Sequence, residues 1–202
     1  MFSTRRLLTL LFATLLFAST SANASPLVFS FESYPGADGV IGTADDLAPA
    51  PYDLLRTQYS AMGLTFSQGT LLQGAFFNGN PDNHFISSSN PIGSFSIPVF
   101  AISIDSNSYW NATLTAYDQQ GHVLASNELR SPWEGAGSFS GTLAVSSATP
   151  IFSFSVLPAN PNYILNLDNL TLNTSPVPEP SQYLMLAAGL LLVAGRKLRH
   201  KA

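Results

Sequence analysis

Apolar and polar residues alternate through the middle of the chain in short runs, each closed by glycine, proline, asparagine, aspartate or serine. Leu27-Val28-Phe29-Ser30-Phe31-Glu32 reads as a strand, as does Gly63-Leu64-Thr65-Phe66, followed by Thr70 to Phe77. Phe95-Ser96-Ile97, Phe100 to Ile104 and Ala112 to Tyr117 keep the same two-residue period, and Val123 to Ser126 follows a turn built on Asp118 and Gly121. Gly137 to Leu143, Ile151 to Val156 and Tyr163 to Leu172 complete the set. Successive side chains of a strand face opposite sides of its sheet. A period of two, broken by turn residues every ten or so positions, therefore predicts an antiparallel β-sandwich. One short helix is expected at Leu54 to Ala61, with Asp53 as its cap and Leu54, Leu55 and Tyr59 turned inward.

The two ends break this pattern. Arg5 and Arg6 precede an apolar run from Leu7 to Ala18, and Ser19 to Ala24 ends in Ala22-Asn23-Ala24. Positive start, apolar middle and a small-residue A-x-A site are the layout of a secretory signal peptide, which hands the chain to the Sec export machinery. The apolar run is about a dozen residues, short of the roughly 20 that a spanning helix needs. Residues 1–24 are thus expected to be a signal peptide cleaved after Ala24, and an uncleaved anchor is the competing reading. At the other end, Ser175-Pro176-Val177-Pro178-Glu179-Pro180 cannot sustain a helix, because proline removes donors and fixes φ. An apolar stretch from Tyr183 to Gly195 follows, closed by Arg196, Lys197, Arg199 and Lys201. Its leucines surround a helix rather than lining one stripe, which predicts a single transmembrane helix with its basic end in the cytoplasm.

Pro178-Glu179-Pro180, an apolar segment and a basic terminus resemble the PEP-CTERM sorting signal of Gram-negative bacteria. The resemblance covers residues 176–202. It implies handling by an exosortase-type transpeptidase acting at or near the Pro-Glu-Pro motif, in bacteria that make extracellular polysaccharide. The apolar segment is short for a full span. The expected location is therefore the inner membrane before processing, then the cell surface or the extracellular matrix.

Between the signals, residues 25–175 form one domain by length. Its only basic side chains are Arg56 and Arg130, against eight aspartates and three glutamates, a net charge of −9 that the whole-chain value of −4 conceals. Such a domain repels nucleic acid and anionic lipid. With no cysteine in the chain, disulfides cannot staple an exported domain, whereas calcium can.

The order of the pieces adds to this. An opening through Phe29, Phe31 and Glu32 is followed by Tyr59 to Phe66, a hairpin from Thr115 to Val123, and Leu167 to Leu172. This succession resembles the jelly-roll sandwich of galactose-binding-like and carbohydrate-binding modules. The resemblance implies that first and last strands lie together and that Glu32 and Asp168 share a structural Ca2+ with backbone carbonyls. The competing reading leaves both carboxylates facing solvent or capping loops. A second acidic group runs from Asp38 through Gly39, Gly42 and Thr43 to Asp45 and Asp46. It lacks EF-hand spacing, and a calcium loop and a plain solvated loop both stand open for it.

Aromatic residues beside polar loop residues are the binding candidates: Tyr109 and Trp110 near Asn107 and Asn111, and Trp133 near Arg130 and Glu134. An aromatic face next to amide or charged groups holds sugar rings by combining apolar contact with fixed hydrogen bonds, although a Trp in a sandwich also serves as core. Enzymatic signals are thin. His84 and His122 fall outside metal motifs, no nucleophile elbow is present, and Glu128 with Glu134 is a carboxylate pair of a kind that chance supplies. The expectation is a non-catalytic, calcium-stabilised β-sandwich that binds extracellular polysaccharide. The alternatives are a purely structural matrix or adhesion protein and, behind it, a secreted hydrolase.

Overall fold

The computed structural model describes residues 25–50, 52–67, 70–74, 84–130 and 139–175, and over these the sheet is antiparallel at every pairing. The strands are β1 (Leu27–Phe29), β2 (Leu54–Leu55), β3 (Leu64–Phe66), β4 (Thr70–Gly74) and β5 (His84–Ser88). They continue as β6 (Ile92–Ser108), β7 (Ala112–Tyr117), β8 (Val123–Leu129), β9 (Phe139–Pro158) and β10 (Leu165–Asn173).

Two long strands organise the whole. The later part of β6, from Ala101 to Ser108, pairs with β9 from Phe139 to Ser146 and with β10 on its other side. Its first residues, Ile92 to Ser94, pair instead with Ser153 to Ser155 of β9, whose last part also carries β7. The register slips between Ser94 and Val99 and again before Ala101. Pro98 sits in that stretch of β6 and Pro150 in the matching stretch of β9. A proline cannot donate to the ladder, so both strands bend there and pass from one layer into the other. One layer is β2-β4-β5-β10 with the later half of β6 and the first half of β9, and β1 lies along β10. The other is β3, the start of β6, the end of β9, β7 and β8.

The core lies between these layers and is a single cluster. Ile102, Ile104, Leu143, Val145, Leu165, Leu167, Leu170 and Leu172 face inward from the first layer, against Phe95, Leu114, Ala116, Phe154 and Val156 from the second. Phe154 stacks on Phe95 with centroids 5.6 Å apart and meets Phe66 edge-on at 6.4 Å. The aromatic contacts continue through Phe31 to Tyr59, which Phe29 and Tyr34 also meet edge-on. Each such ring contributes roughly 1.5–3 kcal/mol by leaving water.

The expected strand at Ala112 to Tyr117 is present with those limits, buried and half-buried residues alternating along it. Pieces expected separately at Phe95 and Phe100 belong to one strand, as do the one expected up to Leu143, from Phe139 on, and the one at Ile151; Gly137 and Ser138 lie outside the described residues. The strand at His84–Ser88 was not anticipated. The helix expected at Leu54 to Ala61 does not form. Leu54–Leu55 pairs with β4, and only Ser60–Met62 makes a 3-10 turn. The reason lies in competing partners. Asp53 takes the N–H of Ala50 and the hydroxyl of Tyr34 instead of capping a helix. The carbonyl of Arg56 takes the N–H of Phe66 in β3, and Leu54 faces solvent.

Candidate functional site

The register gathers several loops at one end of the sandwich. β6 ends there at Ser108, Asn107 pairs with Asn166 at the start of β10, and Ala112 pairs with Pro158 at the end of β9. The N–H of Ala159 reaches the carbonyl of Asn111 at 2.7 Å, which ties the two connecting loops together. Ser108 accepts the N–H of Trp110 at 3.1 Å, and Asn160 accepts those of Asn162 and Tyr163, so both loops are held by side-chain and backbone turns. The outcome is a ring pair. Trp110 and Tyr163 meet at 4.9 Å with planes tilted by 41°.

Tyr109 and Ile164, next in sequence to the two rings, stay 60 % and 58 % exposed, and Leu157 at the end of β9 43 %, apolar surface that folding leaves uncovered at this end. Polar groups rim it. Asn111 donates to Glu128 at 3.3 Å, and the Arg130 guanidinium holds the other oxygen of Glu128 at 2.7 Å. Trp110 itself is half-buried, between the core and platform roles the sequence allowed. β8 ends and β9 begins at this same end, and Trp133 and Glu134 fall between them, outside the described residues. Tyr163 was not singled out from sequence. Its signal was an apolar Tyr163-Ile164 pair following Asn160, Pro161 and Asn162, which reads as a loop once the strand is seen to start at Leu165.

The outer face of the β9–β6–β10 layer continues from this end along the strands. It carries Ser140, Thr142, Asp105, Asn107, Asn166 and Asn169 in place of large side chains. Asp105 accepts Thr142 at 2.7 Å with one oxygen and Asn169 at 3.1 Å with the other, a polar ladder across three strands. Farther along is a shallow concavity of about 320 Å3 lined by Pro26, Ser103, Ala144, Ser146, Thr171 and Asn173.

The first and last strands do lie together, Leu27 opposite Leu172 and Phe29 opposite Leu170. Beyond that pairing Phe31 and Asn169 both take positive φ, 62° and 50°, where the two segments leave regular geometry. Asp168 is buried and accepts the N–H of Asn169 at 2.7 Å, while Glu32 is half-buried. Both bear on Tyr59. Burial raises that phenol first, and then the charges of Tyr34, Glu32 and Asp168 add to it. The Tyr59 hydroxyl donates to the carbonyl of Ser33 at 3.0 Å. Tyr34 is likewise raised, by burial and then by its bond to Asp53.

The loop with Asp38, Asp45 and Asp46 is closed by a bridge between Tyr34 and Leu47. Its carboxylates engage the loop's own donors. Asp38 accepts Val40 N–H, Asp45 accepts the Thr43 hydroxyl and Asp38 N–H, and Asp46 accepts Gly42 N–H and the Ser33 hydroxyl. The Thr43 bond lowers the Asp45 pKa and the Gly42 N–H lowers that of Asp46. Among the described residues no three His, Cys, Asp or Glu side chains converge as a metal-holding group.

His122 lies in the turn after β7 and pairs with Asp118 at 3.0 Å. Ala22, Ala24, Pro178, Glu179 and Pro180 lie outside the described residues, and no helix among those described is long and apolar enough to cross a membrane.

No family model matches the chain, and no curated protein matches it. Several solved structures share part of its shape. A cleaved adhesin domain of Lys-gingipain is 8% identical, with a TM-score of 0.41 over 74% of this chain and 99% of its own. A family 29 carbohydrate-binding module is 12% identical, with a TM-score of 0.40 over 78% and 99%. A xylan-binding domain from Paenibacillus barcinonensis is 10% identical, with a TM-score of 0.35 over 65% and 100%. Scores and identities this low carry no inference from those proteins to this one.

Proposed function

We propose that residues 25–175 are a non-catalytic glycan-binding sandwich of jelly-roll type. The observation that carries this reading is the Trp110–Tyr163 ring pair beside exposed Tyr109, rimmed by Asn111, Asn160, Glu128 and Arg130. Sugar rings have apolar C–H faces and a perimeter of hydroxyls. They bind where an aromatic surface covers the face and fixed amide, carboxylate or guanidinium groups meet the hydroxyls. The site is proposed as binding rather than catalytic because Glu128, the described member of the one candidate acid pair, is engaged by Asn111 and Arg130. A glycan array probed with the full chain in detergent tests this. Trp110→Ala and Tyr163→Ala are expected to weaken binding at least about tenfold, the equivalent of ~1.4 kcal/mol, and Trp133→Ala to contribute. Binding to no glycan, or equal binding by all variants, would overturn it.

A second reading, a structural matrix or adhesion protein without a discrete sugar site, is favoured by the Thr142–Asp105–Asn169 ladder, whose polar groups satisfy one another.

The proposed address rests on the ends of the chain: export by a signal peptide cut after Ala24, then retention by the 176–202 segment and handling by an exosortase at Pro178-Glu179-Pro180. Calcium is proposed as the structural cofactor. Glu32 and Asp168 fit a hard cation because both carboxylates bear on the buried Tyr59. The ion would neutralise two carboxylates drawn out of water and tie β1 to β10. The Asp38, Asp45 and Asp46 loop is a second place where oxygens crowd, but there a cation would compete with the loop's own N–H groups.

A further inference from the structure

We infer that the two ends of the sandwich have opposite partners: the end where both termini leave faces the membrane, and the Tyr109–Trp110–Tyr163–Ile164 end faces away from it. The inference rests on the glycan-binding proposal for the identity of the distal ligand. The orientation itself comes from register.

Leu27 pairs with Leu172, so the chain enters and leaves the domain at neighbouring points of one edge. Ala101, Ser146 and Asn173 lie level at that same end. Tyr163 and Ile164 directly precede Leu165, the opposite end of β10. The exit of the tail and the aromatic cluster are therefore separated by the whole of this strand, about 27 Å at ~3.4 Å per residue. The apolar run from Tyr183 to Gly195 follows from this end, and it carries its basic residues on the side away from the domain. Such a run can enter a bilayer with the domain standing on the outer surface and the basic end inside.

The linker weighs against an inverted arrangement, and the charge of the domain against a flat one. Residues 174–182 contain three prolines, and nine residues in polyproline form reach about 28 Å. For the domain to stand inverted on its aromatic end, this linker would have to run fully extended back along all of β10, giving up its conformational freedom. A domain with a charge of −9 gains nothing from lying flat on anionic lipid. It is thus held upright, with its apolar aromatic surface out in the hydrated polysaccharide.

The chain has no cysteine, so single-cysteine labelling is clean. Gln119→Cys marks the exposed turn between β7 and β8 near the tether end, and Asn162→Cys marks the exposed distal loop. Each full-length variant, labelled with a fluorophore and checked for an unchanged melting temperature, is placed in phosphatidylethanolamine/phosphatidylglycerol vesicles carrying a headgroup-linked quencher. The expected result is strong quenching at position 119 and background quenching at 162. Equal or stronger quenching at 162 overturns the orientation, as does a chain that fails to stay with the vesicles. No sugar is present in this measurement, so a blank glycan array would remove the ligand assignment without touching the orientation.

Discussion

The side-chain carbonyl of Asn127 in β8 accepts the backbone N–H of Ala144 in β9 at 3.1 Å, across two strands that share no ladder. Among the described residues the first half of β9 pairs with β6 on one side only, so its other edge offers N–H and C=O groups to any passing strand. Asn127 plugs that edge, and Leu129, two residues on, packs against Gly141 of the same strand, where a Cβ would crowd its methyl groups. Asn127→Val should therefore change stability by less than about 1 kcal/mol, because water can replace the exposed bond. It should instead raise self-association, read as a concentration-dependent shift in sedimentation. A monomer at every concentration would mean that the edge is protected by something other than this side chain.

Phe154 is a central ring of the core. It stacks on Phe95, meets Phe66, and lies over Gly93, whose missing side chain makes the room. Phe154→Ala should cost about 3–5 kcal/mol through lost contact and an unfilled cavity. Gly93→Ala should also destabilise the domain, since the new methyl overlaps the ring. Urea unfolding of both variants checks this. Neutral behaviour of Gly93→Ala would show that the ring can move aside.

Much of this fold was legible because burial follows alternation where strands are short and regular. Ala112 to Tyr117 shows it: one face is wholly buried, and the period of two survives from end to end. The long strands were read in pieces because Pro98 and Pro150 interrupt the pattern at the bends, and sequence alone does not say whether a strand stops or crosses layers there. The helix at Leu54 to Ala61 failed because its cap, Asp53, had a better partner in Tyr34, nineteen residues away and invisible to a local reading.

Tyr34 and Tyr59 should govern alkaline unfolding. Both phenols are raised, first by burial, so the native state keeps protons that the unfolded chain releases near pH 10. Between the unfolded and folded values the native state binds more protons, and stability falls as pH rises through that window. Tyr34→Phe removes one of these groups together with its bond to Asp53. It should lower stability at neutral pH yet flatten the loss above pH about 10. Absorbance of tyrosinate is the readout: of the seven tyrosines in the chain, those at 34 and 59 should ionise only as the fold is lost. Titration of all seven in the folded state would contradict the burial argument.

The site was half legible. Tyr109 and Trp110 stand out in sequence because they interrupt a polar stretch, but the ring that completes the pair, Tyr163, comes from a loop about fifty residues on and is brought to them by the β6–β10 and β7–β9 registers. The outer polar face escaped notice for a related reason. Ser, Thr and Asn at alternate positions look like ordinary solvent-facing strand residues until Asp105 is seen to link Thr142 and Asn169 across three strands.

Calcium dependence is the most consequential prediction for the proposed cofactor. Asp168 is 2% exposed and Glu32 half-buried, and a carboxylate drawn from water near another is repelled unless a cation or hydrogen bonds compensate it. If calcium binds here in the native state only, an ion concentration a hundredfold above the dissociation constant adds ~2.7 kcal/mol to stability. For a domain of this size that is a rise in melting temperature of roughly 5–10 °C. Chelator should reverse it. Asp168→Asn keeps the shape and an acceptor oxygen but removes one charge, so it should abolish most of the calcium response while leaving the chelated protein as stable as the chelated parent, or more so. Asp46→Asn in the outer loop is the control, and it should leave the response intact. A calcium shift that survives Asp168→Asn and disappears in Asp46→Asn would move the ion to the loop. No shift in the parent would remove calcium from the account and leave the aromatic end, which shares none of these residues, to be judged on its own binding data.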